Sequence, residues 1–243
     1  MLTAAPNCST FLEARYTSGS YHEQNPDWHV TDSPWKARQI AALLQRHHLP
    51  LHSICEVGCG AGEILVQLRD LLPPHIEFFG YDISPQALEL CRVREGERLH
   101  FALGDPFAAG RRYSLAMAID VFEHVPDYLS FLKNMKPVAD YKLFHIPLDI
   151  SVSSVLRSQP LLSVRRSVGH LHYFTAETAL ATLEDCGYQI VDRSFTPCAL
   201  AADSNQRRLK TRLANLPRRI FRLLGDGFAA RLVGGFSLLV LAR

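Results

Sequence analysis

Apolar and polar positions follow two regimes along the chain. Up to residue 33 the sequence is polar, aromatic and irregular. Asp32-Ser33-Pro34 then announces a helix. Ser33 suits the N-cap, Pro34 at the first helical position forfeits only an N–H that would be unpaired anyway, and Ala37, Ile40, Ala41 and Leu44 recur at helical spacing up to about His48. From residue 53 onward short apolar runs take over, at 53–57, 77–82, 99–103, 115–119 and 141–146, with helical patterns at 62–72, 85–92 and 127–135 between most of them. A helical pattern over 175–186, closed by Gly187, leads to a strand at 188–195, and a last strand covers 236–242. Short apolar runs interleaved with helices predict β-α-β units, hence an α/β fold with a mostly parallel sheet of seven strands and helices on both faces.

At 243 residues the chain fits one large α/β domain or two small ones. With 47% hydrophobic and 21% charged residues, disordered and collagen-like classes are excluded. A net charge of +2 is too small to suggest nucleic-acid binding by the whole chain, but the sum conceals a split. Residues 203–231 hold eight basic and two acidic residues, or +6, which leaves 18 basic and 22 acidic elsewhere, or −4. Leucines and other apolar residues lie between those basic ones, among them Leu209, Leu213, Leu216, Ile220 and Leu223. Such a basic amphipathic segment reads as a solvated helical insertion, a clasp for an anionic acceptor, or a peripheral membrane contact through 207–224. Six cysteines without a C-x-x-C pair or zinc spacing read as reduced thiols, hence a cytoplasmic protein. The N-terminus shows no basic and apolar signal pattern, and no apolar run approaches the roughly 20 residues of a spanning helix.

The most informative stretch is Ile54-Cys55-Glu56-Val57-Gly58-Cys59-Gly60-Ala61-Gly62. A buried strand runs into three glycines at alternate positions just where a helix begins, which suits close approach of the backbone to a ligand beyond the carboxyl edge of the sheet. Asp82 ends the second strand, 22 residues after Gly60, where an acid can take both hydroxyls of a ribose. The alternative role for Asp82, capping the next helix, is already filled by Ser84-Pro85, which predicts a freer carboxylate. The third strand ends in Leu103-Gly104-Asp105-Pro106 and the fourth in Asp120-Val121-Phe122-Glu123-His124-Val125. Four consecutive strands therefore end in small or acidic groups on one edge, which predicts a site there.

This series resembles the class I methyltransferases that use S-adenosylmethionine (SAM), in particular the small-molecule branch with E-x-G-C-G-x-G and D-V-x-E-H-V motifs. The resemblance covers roughly residues 50–148 and extends weakly through Gly169-His170-Leu171-His172-Tyr173-Phe174-Thr175. It implies a Rossmann-like sheet whose last strand is antiparallel and lies beside the sixth, and SAM as cofactor. It also implies residue roles. The Gly58, Cys59 and Gly60 backbone lies against the methionine part, while Glu56 holds the loop and reaches the amino group through water. Asp82 takes the ribose hydroxyls, Ile83 packs on adenine, and Asp105 faces the adenine amino group beside Pro106. Asp120 and Val121 line the floor near the sulfonium.

Both tryptophans lie within eight residues in the N-terminal segment, in Asp27-Trp28-His29 and Trp35-Lys36. This predicts a lid over residues 1–49, with Trp35 over the cofactor and Lys36 on its carboxylate. The catalytic domain then spans 50–243, with a basic insertion at about 197–235. An oxygen acceptor must lose a proton, and the candidate bases are His170, His172, Tyr173 and His124. His170 and His172, two apart in an extended segment, are expected to share a face. No third ligand is evident beside them, so no metal site is expected. The expected acceptor is a small molecule or a glycan- or lipid-linked intermediate, with an anionic one among the options, acted on by a monomer or homodimer. Adenine methylation of DNA is disfavoured, because the position after the fourth strand reads Asp120-Val121-Phe122-Glu123 rather than Asn/Asp-Pro-Pro-Tyr/Phe. Two other classes stay open: a nicotinamide-dependent oxidoreductase, whose G-x-G-x-x-G fingerprint is broken here by Glu63, and a catalytically silent SAM-fold binding protein.

Overall fold

The central strand β1 (Ser53–Val57) has four consecutive buried residues, the signature of a strand covered on both faces. The computed structural model describes residues 14–107, 110–205 and 215–243. Around β1 it arranges β2 (Glu77–Asp82), β3 (Leu99–Leu103), β4 (Tyr113–Ile119), β5 (Ala139–Pro147), β6 (Ile190–Thr196) and β7 (Ser237–Ala242). They form one seven-stranded sheet in the order β3-β2-β1-β4-β5-β7-β6. The first five strands pair in parallel, and β7 slots antiparallel between β5 and β6. The first three strands match the runs read from the sequence, while β4 and β5 each begin two residues earlier, where Tyr113 pairs with Ala139.

The helices are α1 (Ser20–Gln24), α2 (Ser33–His47), α3 (Glu63–Leu71), α4 (Pro85–Arg92), α5 (Tyr128–Met135), α6 (Val152–Arg157), α7 (Gln159–Ser167), α8 (Ala176–Asp185), α9 (Cys198–Asn205), α10 (Leu216–Arg222) and α11 (Asp226–Val233). Two apolar layers flank the sheet. One joins Ile40 and Leu44 of α2 to Leu65 and Leu68 of α3 against Ile54 and Leu115. The other joins Leu132 of α5, Leu183 of α8 and Ala229 of α11 against Phe144 and Val240. Residues 33–47 are thus a core helix of the first layer as well as part of the predicted N-terminal segment.

Local chemistry explains most boundaries and one correction. Ser84 Oγ accepts from Ala87 N and starts α4, and Asp127 accepts from Ser130 N and starts α5. Thr175 closes a capping box with Thr178 at the start of α8. At α2 the cap lies one residue earlier than expected. Asp32 occupies it without a side-chain cap bond, and Ser33 is already helical, with Pro34 in the first turn. Helices α6 and α7 were not foreseen. The six-residue α6 is too short to register an apolar period and is fixed instead by a capping box between Ser151 and Ser154, whereas α7 buries none of its residues and so shows no core-facing stripe.

Candidate active site

The glycine loop after β1 is clipped to the end of β2. Tyr81 O accepts from Gly58 N at 2.8 Å and from Cys59 N at 3.0 Å, and Asp82 Oδ2 accepts from Gly60 N at 2.8 Å. Gly58 (φ 74°) and Gly62 (φ 77°) sit in the left-handed region, and a Cβ would meet Val121 at 2.8 Å in the first case and Phe101 at 2.5 Å in the second. The loop therefore turns tightly and presents backbone to a cavity of about 760 Å³ at the carboxyl edge of the sheet.

Among the sequence-predicted residues, Lys36, Glu56, Gly58, Cys59, Gly60, Asp82, Ile83, Asp105, Asp120, Val121, His124 and His170 line this cavity. Trp35, Pro106, His172 and Tyr173 do not. Trp35 gives way to Trp28, which packs tilted against Tyr21 at 5.0 Å between ring centroids and donates to His22 Nδ1. Pro106 is buried and Phe107 takes the wall position beside Asp105. His172 and His170 do not share a face on the site. Leu171 and His172 both donate backbone N–H groups to Glu123 O, and the His172 ring turns away to Val125 O and Tyr128. The Tyr173 hydroxyl donates to Leu161 O.

Asp82 is more committed than the sequence suggests. Ser84 does cap α4, yet Asp82 Oδ1 also accepts from Ser84 N while Oδ2 holds Gly60 N. Each oxygen keeps a lone pair for a further donor. Burial, partly offset by those N–H groups, pushes its pKa up to about 6. Glu56 is 1% exposed, its Oε2 has no hydrogen-bond partner, and burial pushes its carboxyl well above the usual range. It does not hold the loop by a hydrogen bond; the β2 carbonyl and Asp82 do that.

Asp120, in a left-handed conformation at φ 55°, is neutralised by its neighbours. Lys36 Nζ donates to its Oδ2 at 2.7 Å and His145 Nδ1 lies 2.6 Å from its Oδ1. Burial opposes ionisation, but these two cations outweigh it and hold Asp120 well below the carboxylate range, and Asp120 in turn holds the His145 imidazolium up to about 10 against burial. The far side of His145 meets Thr196 Oγ1 at 2.8 Å. Asp120 thus carries an internal ion network rather than a free negative charge on the cavity floor.

Sequence reasoning missed three groups: His145 behind Asp120, Cys198 on the cavity wall, and Asp149 behind His170, where Nδ1 and Oδ2 are 2.6 Å apart. Asp149 was within reach, since it follows the fifth strand on the same edge as the four acidic or glycine endings already noted. The N-terminal cover is built by Tyr16, Tyr21 and Trp28, and is tied across to the end of α7 by Arg15, which donates to Arg166 O and Ser167 O.

An independent comparison points the same way as this geometry. A family model described as a methyltransferase domain matches residues 28–193. No curated protein matches the sequence. Solved structures share the fold at low identity. The magnesium protoporphyrin IX methyltransferase of Synechocystis PCC 6803, with bound S-adenosylhomocysteine, is 14% identical with a TM-score of 0.63 over 96% of this chain and 98% of its own. The N-methyltransferase NodS of Bradyrhizobium japonicum WM9, in complex with S-adenosylhomocysteine, is 16% identical with a TM-score of 0.54 over 93% and 98%. A SAM-dependent methyltransferase of Thiobacillus denitrificans, also with S-adenosylhomocysteine, is 14% identical with a TM-score of 0.56 over 86% and 91%.

Proposed function

The chain belongs to the methyltransferase-domain family, and from that premise we propose that it moves the methyl group of SAM to an oxygen of a small-molecule or glycan- or lipid-linked acceptor. The observation that carries the proposal is the orphaned, buried Oε2 of Glu56, a residue that lines the cavity together with the glycine loop and Asp82. A cation with N–H donors satisfies it, and the ammonium end of SAM is such a group. When bound, SAM supplies an electrophilic methyl on a sulfonium.

This chain's own residues do the rest. Asp82 accepts from ribose hydroxyls, Ile83 offers an exposed apolar face to the adenine, and Asp105 stands at the adenine edge. Lys36 gives one donor to Asp120 and keeps two for a carboxylate. Tyr21 and Trp28 cover the cavity and exclude water, which favours transfer between a sulfonium and a desolvated acceptor. His170, oriented by Asp149, and His124 face the acceptor side, so the other two candidate bases, His172 and Tyr173, drop out of the reading. Positioning in line with the methyl group supplies most of the catalysis.

The nicotinamide alternative draws no support from the family or the neighbours. Calorimetry with SAM and NADH tests the choice: SAM binding with a 1:1 stoichiometry is expected, and tight NADH binding without SAM binding would sink the proposal. Release of S-adenosylhomocysteine across a panel of hydroxylated acceptors separates an active enzyme from a silent binder.

A further inference from the structure

The turn Phe122–His124 places a buried donor cluster at the cavity wall that the sequence does not disclose. Glu123 is 0% exposed, and neither carboxylate oxygen has a hydrogen-bond partner. His124 Nδ1 is buried without a partner as well. His170 stands edge-on to His124 with ring centroids 4.9 Å apart. The backbone makes this juxtaposition: Glu123 O accepts from Leu171 N at 2.8 Å and His172 N at 3.1 Å, so the segment carrying His170 is clipped to the turn carrying the other two. Among the described residues the structure therefore groups His170 with Glu123 and His124, while His172 stands outside the cluster.

We propose that Glu123, His124 and His170 hold a divalent transition-metal ion, of the zinc or cobalt kind, with an open position facing the cavity. One ligand atom from each lies within 4.8 Å of the other two. Donors about 2.0–2.2 Å from a common ion are at most about 4 Å apart, so an inward side-chain shift of under about an ångström completes the shell. Two imidazoles and a carboxylate select first-row transition metals over magnesium or calcium, which prefer all-oxygen sites. Asp149 completes the arrangement from behind, because its carboxylate on His170 Nδ1 fixes the ring so that Nε2 is the nitrogen left for the ion. Without a cation this buried carboxyl makes no hydrogen bond and has His124 Nε2 only at 3.8 Å from its Oε1, a costly burial that a metal relieves. His124 and His170 line the cavity, so the open position meets the acceptor and fits an oxygen donor such as a hydroxyl. The inference deepens the methyl-transfer reading by naming what would grip the acceptor oxygen.

Tag-free full-length protein stripped with a chelator is titrated with Co²⁺, followed by visible absorption, and separately with Zn²⁺ by calorimetry. One ion per chain is expected, with no competition from excess Mg²⁺. His124→Gln and His170→Gln should each weaken Zn²⁺ binding at least 100-fold, and Asp149→Asn, which leaves the three ligands in place, by about 10–100-fold. Circular dichroism and SAM calorimetry on the same samples report folding. Absence of stoichiometric binding by the wild type, or unchanged affinity in folded variants, would overturn the site. Failure of metal binding with SAM binding intact would overturn the metal alone and leave the methyl-transfer reading standing, whereas loss of SAM binding in the wild type would strike that reading.

Discussion

At the scale of the residue, Asp82 and His170 carry the clearest expectations. Asp82 serves two structural N–H groups and offers its remaining lone pairs to the cavity. Replacing it by Ala should weaken SAM binding by about 1–3 kcal/mol, the scale of losing charge-assisted hydrogen bonds. Calorimetry at pH 7.5 measures this, and an unchanged Kd would remove Asp82 from the ribose. The pH dependence has a definite sign. With a pKa pushed up to about 6, Asp82 is ionised above that value and protonated below it. A protonated carboxyl accepts fewer hydroxyl bonds, so SAM affinity should fall as pH drops through about 6 and level off above about 7. Asp82→Asn should flatten that limb. His170→Ala belongs to the other side of the cavity. It should cut turnover by at least 100-fold, the scale of a lost acid–base or acceptor-holding group, while SAM affinity changes less than about threefold. Equal loss of both would place His170 on the cofactor instead.

At the scale of the element, the reversed strand β7 couples the site to the sheet. Its residues are buried without exception, it pairs with β5 and β6 on either side, and Thr196 at the end of β6 reaches both Ser237 O and His145. Asp120 follows β4, His145 lies on β5, and the chain of contacts runs across four strands. The linkage follows from the two shifts. Asp120, held below its ordinary value, contributes stability above about pH 4 that is lost as pH falls. His145, raised from 6.5 to about 10, contributes stability that is complete below 6.5 and lost as pH rises through about 10. For this pair alone the contribution is complete between about pH 4 and 6.5 and declines toward pH 10. The buried carboxyls of Asp82, Glu56 and Glu123, raised by burial, add their own loss as pH rises above about 4, so the test is the alkaline limb, where thermal midpoints should decline toward pH 10 and His145→Gln should abolish that decline. A persistent decline in the variant would assign it to another group. None of this was legible beforehand, because the sequence shows His145 only as one polar residue in an apolar run, and its partner Asp120 lies 25 residues away. What was legible is the sheet itself. Continuous apolar runs and helix caps are local signals, so β1, β2, β3 and α4 read correctly to the residue. The carboxyl-edge acids were legible for the same reason, since each sits at a strand end. Which of them face the cavity, and which are spent on neighbours, depends on contacts made across the sheet. The Glu123–His124–His170 cluster depends on a backbone clip between two distant segments, which no spacing rule anticipates.

At the scale of the molecule, the charge split meets the fold between β6 and β7. Arg218 donates to Gly234 O and Asn215 Oδ1, Arg222 pairs with Asp226 at 2.6 Å, and Arg231 pairs with Glu177. These three serve local architecture, and Arg218 in particular caps the end of α11. The described part of the insertion is therefore less a basic face than an apolar one, with Leu223 86% and Leu224 70% exposed and Leu216 and Ile220 also open. Arg207, Arg208, Lys210 and Arg212 lie outside the described residues. Among the described residues no helix is long and apolar enough to cross a membrane. Exposed leucines next to a run of basic residues suit shallow insertion into an anionic surface, where each basic residue near the headgroups adds about 1 kcal/mol. The full chain should pellet with phosphatidylserine vesicles at low salt, much less with phosphatidylcholine alone, and lose most of that binding at 0.5 M salt. Leu223→Glu with Leu224→Glu should reduce the pelleted fraction several-fold while SAM affinity stays unchanged, because neither residue touches the cavity. Binding that ignores lipid charge, or survives the double substitution, would assign the leucines to another partner and confine the acceptor to molecules that reach the cavity from solution.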